Sequence, residues 1–229
     1  SGVLQDFPEL MPRMFFLARL GLVVALAGML ALMFFTERTY WPHLWGLFLL
    51  SAFFSKYYTA PPVKLAYRGL GEISVWFAFG PMAILIAAVS QNVGFHSQVI
   101  LLMPATGLST LSILLAGQMI DIDADRAGGK HGVASRLGTR ATAVIYLLVQ
   151  LALVVNMVVV FFLYPGTTWP LLLSLIPYLL IFPRAARIIM KFHNQEDRLK
   201  EGAKLTVLTH IGFSFFLIAG FVVYLIFST

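Results

Sequence analysis

Apolar residues fall in long blocks along this chain, not in alternation. Seven stretches approach or exceed the length that crosses a hydrocarbon core: residues 14–35, 41–57, 73–90, 99–117, 141–164, 169–182 and 205–227. Each predicts a helix, because backbone groups in lipid must be satisfied within their own segment. The shorter stretches of alternating polarity that a β-barrel needs are absent. The sixth block is short and holds Pro177, so it is expected to continue through Arg184 and Arg187 along the membrane interface. The pattern predicts an all-α, multi-pass transmembrane bundle in a single membrane-embedded domain, residues 1–229. No soluble domain, low-complexity tract or internal repeat interrupts it.

Composition agrees. Hydrophobic residues make up 59% of the 229 and charged residues 11%, well under the roughly 25% charge of a soluble domain. The net charge of +6 needs no nucleic acid to explain it, since membrane proteins gather Lys and Arg in cytoplasmic loops. Here every Lys and Arg except Arg38 falls on one side of the predicted bundle. Lys56, Lys64 and Arg68 are joined there by Arg126, Lys130, Arg136 and Arg140, and then by the basic stretch from Arg184 to Lys204. That side is expected to be cytoplasmic, with the C-terminus outside and the protein in a bacterial cytoplasmic membrane. The absence of cysteine excludes disulfides and thiolate metal sites. The chain opens on Ser1 with no cleavable signal peptide, and its N-terminus reads as a cut end.

One stretch departs from this pattern: DIDADRAGGKHGVASRLG, residues 121–138. Three carboxylates within five residues repel one another by roughly 1 kcal/mol per neighbouring pair, so a cation is expected to hold them. Asp121 and Asp125 are one helical turn apart and share a face if the fourth span continues past Gly117, with Gln118, Thr110 and Thr106 upstream on that face. A solvated loop above hydroxyls that pack between helices is the plainer alternative. An EF-hand is excluded, because Arg126 replaces the turn glycine and Gly132 stands where the bidentate Glu belongs. Paired carboxylates followed by Arg126 and Lys130 suit a polyanion held through magnesium, with the cations on oxygens the metal does not reach. A second stretch, YYTAPPVKLAYRGLGE, residues 57–72, places Lys64 and Arg68 on the same side of the membrane. Alone it reads as ordinary inside-positive charge.

Together the two stretches resemble the UbiA-type intramembrane prenyltransferases. Asp121, Asp125, Gly129 and Leu137–Gly138 match that family's second aspartate motif. Residues 58–72 with Phe79–Gly80–Pro81 look most like the dihydroxynaphthoate polyprenyltransferase branch, which makes menaquinone. Two departures stand out. Gly117, Gln118, Met119 and Ile120 replace that branch's usual Asn-Asn-x-Arg, and Gly132 replaces a usual Thr. The resemblance implies a nine-helix bundle with an earlier Asn-Asp-x-x-Asp motif. That motif is missing here, so the domain is expected to lack its first two helices, and Ser1–Gly2 look like the tail of the preceding basic loop.

The implied chemistry is transfer of a polyprenyl group from an allylic polyprenyl diphosphate to a small aromatic acceptor. Dihydroxynaphthoate is the first choice, with hydroxybenzoate, homogentisate, haem and chlorophyll-type acceptors open. The implied cofactor is Mg²⁺, with Asp121 and Asp125 as catalytic residues and metal ligands and Asp123 as a less certain ligand. Diphosphate contacts fall to Lys64, Arg68, Arg126 and Lys130, and the cavity lining to Tyr58, Thr110 and Gln118. The competing class is a seven-helix transporter, but its ionisable groups should sit near the midplane, whereas here they crowd one face. Elsewhere, Thr206, His210 and Ser214 on one face of the last span are expected to bond between helices, as is Asn156. Trp41, Trp45, Tyr57, Tyr58 and Trp169 suit interfacial aromatic belts. Arg19 is expected to face the bundle and find a partner.

Overall fold

The computed structural model describes residues 8–228, so Ser1–Gly2 lie outside the described residues. Nine helices carry the argument: α1 (Met11–Met33), α2 (Trp41–Tyr57), α3 (Gly71–Ser90), α4 (Ser97–Ile120), α5 (Ile122–Ala127), α6 (Val133–Leu163, broken by a kink at Gly138, φ +80°), α7 (Pro165–Leu180), α8 (Phe182–Lys191) and α9 (Glu196–Ser228). There is no strand among the described residues. A helix stands at each of the seven predicted places, but they are not alike. Five are long and apolar enough to span a membrane, whereas α2 has only 17 residues. The sixth is broken: α7 and α8 meet at a 42° bend. Pro170 and Pro177 explain the irregularity of α7, since each lacks the N–H a continuous helix would use there and residues 169–175 tighten into a 3₁₀ segment. α8 buries Phe182, Ala185, Ile188 and Ile189 and exposes Arg184 and Arg187, the pattern of an interfacial helix.

Two close helix crossings set the packing. α3 opens into a π-helical turn at Ala78–Met82, where Pro81 supplies no N–H. At that turn Gly80 meets Gly107 of α4 so closely that a Cβ on Gly80 would lie 2.7 Å from the Met103 carbonyl oxygen. Gly220 of α9 likewise abuts Pro170 of α7. Small residues at such crossings let backbones approach where lipid supplies no hydrophobic drive. The core lies between α4, α6, α7 and α9, around Leu115, Met119, Tyr146, Leu153, Met157, Tyr178 and Phe213.

A buried polar network threads that core. Tyr178 donates to Gln150 Oε1 (2.9 Å), Gln150 Nε2 donates to Ser112 (3.0 Å), and Tyr146 shares a hydrogen bond with Thr206 (2.8 Å). His210 pairs with Ser109 across α4 and α9 at 2.9 Å, and Asn156 Nδ2 donates to the Leu101 carbonyl at 3.0 Å. These are the interhelical bonds expected of Thr206, His210 and Asn156.

Arg19 departs from expectation. Its side chain is exposed and has no ion pair among the described residues. The reason is position: α1 lies at the edge of the bundle, with only 6% of its apolar window buried. It therefore has almost no interior for Arg19 to face.

Candidate functional site

The loops after α2, α4 and α8 meet at one end of the bundle. Arg136 on α6 donates to the Arg68 carbonyl (3.4 Å), and Thr139 on α6 bonds His193 after α8 (3.1 Å). This convergence brings the two motif stretches together.

α4 continues past Gly117 to Ile120, and Asp121 (φ −87°, ψ 11°) is the joint between it and α5. The break is one residue wide. The Asp125 N–H still donates to the Asp121 carbonyl at 2.8 Å, so the two acids remain one turn apart. α5 then ends in a Schellman turn: Lys130 N–H reaches the Asp125 carbonyl (2.9 Å) and Gly129 N–H the Arg126 carbonyl (3.1 Å). The turn needs Gly129 at φ +73°, where a Cβ is unfavourable. It folds the chain back on itself and sets Lys130 Nζ 2.8 Å from Asp125 Oδ1.

That pair supplies part of the countercharge the sequence calls for. Asp125 is mostly covered and Lys130 about a third exposed. The hydrogen bond to Asp125 holds the Lys130 ammonium above lysine's ordinary value, against the opposing effect of its partial burial. Asp121 and Asp123 are exposed and have no ion pair among the described residues. Tyr58 stands beside this pair and Glu72. Burial first, and then the Glu72 carboxylate, push its phenol above the ordinary 10.0.

The other expected phosphate ligands are turned elsewhere. Lys64 holds its ammonium 5.5 Å from the centre of the Tyr67 ring. Arg68 donates to the Pro62 carbonyl (3.0 Å), and Arg126 donates twice to the Ser135 carbonyl (3.3 Å each). All three are exposed, so their long side chains have room to turn. Of the residues expected to line a cavity, Tyr58 lies on the wall of a 430 Å³ groove between α2 and α3. Ser51, Ser55 and Ser74 share that wall with Phe54, Phe79 and Met82. Thr110 is not on the wall and bonds the Thr106 carbonyl of its own helix (3.1 Å). Gln118 is held by Glu72 instead.

Glu72 is a residue the motif reading passed over. Its carboxylate is buried at the start of α3, and Oε1 accepts from Gln118 Nε2 and from the Val133 N–H, both at 2.7 Å. An acid in the first turn of an apolar span was the available signal. Arg136 was also missed; its guanidinium packs on Gly69, where φ is +74°. The two sequence departures prove to be neighbours. A Cβ on Gly132 would lie 2.7 Å from Gln118 Nε2, so the long amide at 118 occupies space that a side chain at 132 would need.

The profile of the UbiA prenyltransferase family matches residues 12–208. The chain belongs to that family. It is 29% identical over 201 residues to the 2-carboxy-1,4-naphthoquinone phytyltransferase of Synechocystis sp., covering 86% of this chain and 63% of that protein. It is 33% identical over 112 residues to the 1,4-dihydroxy-2-naphthoate octaprenyltransferase of Mycobacterium tuberculosis, covering 49% of this chain and 37% of that protein. The phytyltransferase of Arabidopsis thaliana chloroplasts is 34% identical over 105 residues, 42% of this chain and 28% of its own length. The chain thus spans less than two thirds of the length of these curated relatives. No solved structure matches it.

Within this UbiA-family chain the acidic loop fits a hydrated divalent ion better than a caged one. Among the described residues no three His, Cys, Asp or Glu side chains converge on a common point. Two carboxylates one turn apart, with a third exposed between them, match magnesium's habit of keeping waters and bridging to phosphate oxygens.

Proposed function

We propose that this chain carries the catalytic aspartate loop of a magnesium-dependent prenyltransferase. The enzyme transfers a polyprenyl group from an allylic polyprenyl diphosphate to an aromatic acceptor, dihydroxynaphthoate in menaquinone biosynthesis. The observation that carries the reading is the placement of the exposed Asp121 and Asp123, beside the Lys130–Asp125 pair, at the end of the bundle where the α2–α3 groove reaches Tyr58. The relatives' names support the acceptor, since naphthoquinone or naphthoate recurs in them while the transferred chain changes from phytyl to octaprenyl. Tail length is therefore left open.

Asp121 and Asp125 would hold the magnesium, with Asp123 nearby. When bound, the ion supplies electrostatic stabilisation of the departing diphosphate. Lys130 moves from Asp125 to a phosphate oxygen, and Lys64, Arg68 and Arg126 turn from their ring and carbonyl contacts to the oxygens that remain. The allylic C–O bond breaks with its electron pair passing to the diphosphate. The allylic carbon then bonds to a carbon of the electron-rich ring, and the ring regains its aromaticity by releasing the group that carbon carried, a proton that passes to the diphosphate or a carboxylate that leaves as CO₂. The apolar walls of the groove, of a size common for small-molecule sites at roughly 300–1,000 Å³, hold the tail and exclude water from the cation. The aspartate loop faces the cytoplasm of a bacterial cell, on the side where the Lys and Arg residues collect.

The test uses membranes containing the protein, a labelled prenyl diphosphate and a panel of aromatic acids. Magnesium-dependent labelling of dihydroxynaphthoate is the expected result. Labelling of hydroxybenzoate or homogentisate alone overturns the acceptor, and no labelled product at all overturns the activity.

A further inference from the structure

The loop that bears the aspartates has little packing of its own. Asp121, Asp123, Ala124, Arg126, Ala127, Gly128 and Gly129 are all exposed. What locates it is the pair of helix ends on either side, and one buried side chain touches both. Glu72 Oε1 accepts from Gln118, three residues before Asp121, and from the backbone of Val133, three residues after Lys130. Gln118 completes the latch, its Oε1 accepting from the Ala134 N–H at 3.4 Å. The α6 N-terminus has no side-chain cap of its own, because Gly132 occupies the cap position. Glu72 and Gln118 therefore satisfy from outside the first two N–H groups of the short helical segment 133–137, which ends at the kink at Gly138. Gly132 leaves the room for the Gln118 amide. The pair is linked to the groove as well: the Tyr58 hydroxyl packs over Gly71, where a Cβ would lie 3.5 Å from it.

We infer that Glu72 is the positioning residue of the aspartate loop, its buried carboxylate latching the end of α4 to the start of α6 and so fixing where Asp121 and Asp125 stand. The inference rests on the magnesium–diphosphate reading above. Glu72 does not contact the metal or the diphosphate; it acts through Gln118 and the backbone of α6.

The exchanged pair makes this testable. In Glu72→Gln/Gln118→Glu, the amide at 72 can accept from Val133 and donate to the carboxylate at 118, which still accepts from Ala134. All three hydrogen bonds return with the charge moved. In Glu72→Gln alone, two amides face each other and the carboxylate is gone. Mn²⁺ binding in the presence of inorganic diphosphate, read by the loss of the free-ion EPR signal with the chain in lipid nanodiscs, reports loop geometry without turnover. Glu72→Ala is expected to weaken Mn²⁺ about tenfold or more, as outer-shell changes do, and Glu72→Gln to weaken it less. The exchanged pair should return to within about threefold of wild type.

Wild-type affinity in Glu72→Ala overturns the inference, and so does an exchanged pair that folds but stays weak. Should Glu72→Ala fail to fold, Glu72→Gln against the exchanged pair decides on the same criterion. Asp125→Asn is measured alongside. If it too binds Mn²⁺ like wild type, the magnesium reading falls and takes the latch with it. If it weakens binding while the Glu72 variants do not, only the latch falls.

Discussion

Replacing Lys130 with Gln separates the ion pair that its ammonium makes with Asp125 from the diphosphate contact proposed for the same group. Without ligand, Lys130 Nζ occupies Asp125 Oδ1 at 2.8 Å. If Asp125 also binds magnesium, lysine and metal compete for it. Two unit charges at that distance attract by about 1.5 kcal/mol in bulk water and about 6 at an effective dielectric of 20. Lys130 is 36% exposed, so solvent screening and side-chain ordering remove most of this, and about 1 kcal/mol is the reasonable net value. That amounts to roughly fivefold in an equilibrium constant. Lys130→Gln should therefore bind Mn²⁺ alone about fivefold tighter. With inorganic diphosphate present the sign should reverse, because the ammonium that competes for Asp125 is the one proposed to hold a phosphate oxygen. Arg126→Gln removes the same charge from a side chain bonded to the Ser135 carbonyl, and should raise Mn²⁺ affinity by less. EPR titration of both variants in nanodiscs, with and without diphosphate, makes the comparison. Unchanged Mn²⁺ affinity in Lys130→Gln, or an equal rise in Arg126→Gln, would refute the competition at Asp125.

Asp121→Asn or Asp125→Asn should lower the proposed prenyl transfer by several kcal/mol of transition-state stabilisation while the protein still folds; undiminished, EDTA-insensitive turnover tells against the magnesium site. For pH, the folded value of Lys130 lies above its ordinary 10.5, so the pair's contribution to stability is complete below 10.5 and is lost only as pH rises through the folded value. The melting-temperature difference between wild type and Lys130→Gln should thus stay flat from neutral pH to about 10 and shrink above it. Gly80→Ala would put a Cβ 2.7 Å from the Met103 carbonyl oxygen and should destabilise the α3–α4 crossing by about 1–3 kcal/mol, visible as a lower melting temperature. Ser135→Cys in this cysteine-free chain should resist a membrane-impermeant thiol reagent applied to intact cells, and labelling from outside would reverse the assigned orientation.

Much of this was legible in the residues because hydropathy and helix spacing are local. The apolar blocks located the helices, and the spacing of Asp121 and Asp125 survived a joint one residue wide. What escaped was non-local. The partners of Glu72 lie 46 and 61 residues away, and nothing in the first turn of an apolar span says which distant N–H will meet its carboxylate. Lys130 and Arg126 carry the same charge beside the same acids, yet only Lys130 turns inward, because the Schellman turn at Gly129 returns the chain there. Arg19 shows the opposite error: the cost of a charge in lipid implies a partner only where a helix has neighbours, and α1 has few. The 42° bend between α7 and α8 was only partly legible, since prolines mark where a helix weakens but not how far it turns.

The direction in which polarity changes along the groove follows from the same topology. α2 and α3 are consecutive and joined by residues 58–70, so positions nearest that loop lie at the aspartate end. Going toward the loop, the α2 wall passes from Ser51 through Phe54 and Ser55 to Tyr58, and the α3 wall from Met82 and Phe79 through Val75 to Ser74. Met82 and Phe79 therefore line the end remote from the loop, and the phenol and Ser74 the end beside Glu72. An occupant with a diphosphate head and an apolar tail has only one favourable orientation here. The head meets the cations beside the aspartate loop at the membrane surface, and the tail replaces lipid along the groove. Reversed, the charged head would be desolvated against Phe79 and Met82 with only the Ser51 hydroxyl on the wall beside it. On the proposed reading, the end of the groove where the Tyr58 hydroxyl packs over Gly71, the residue before Glu72, is thus where the bond to be broken belongs.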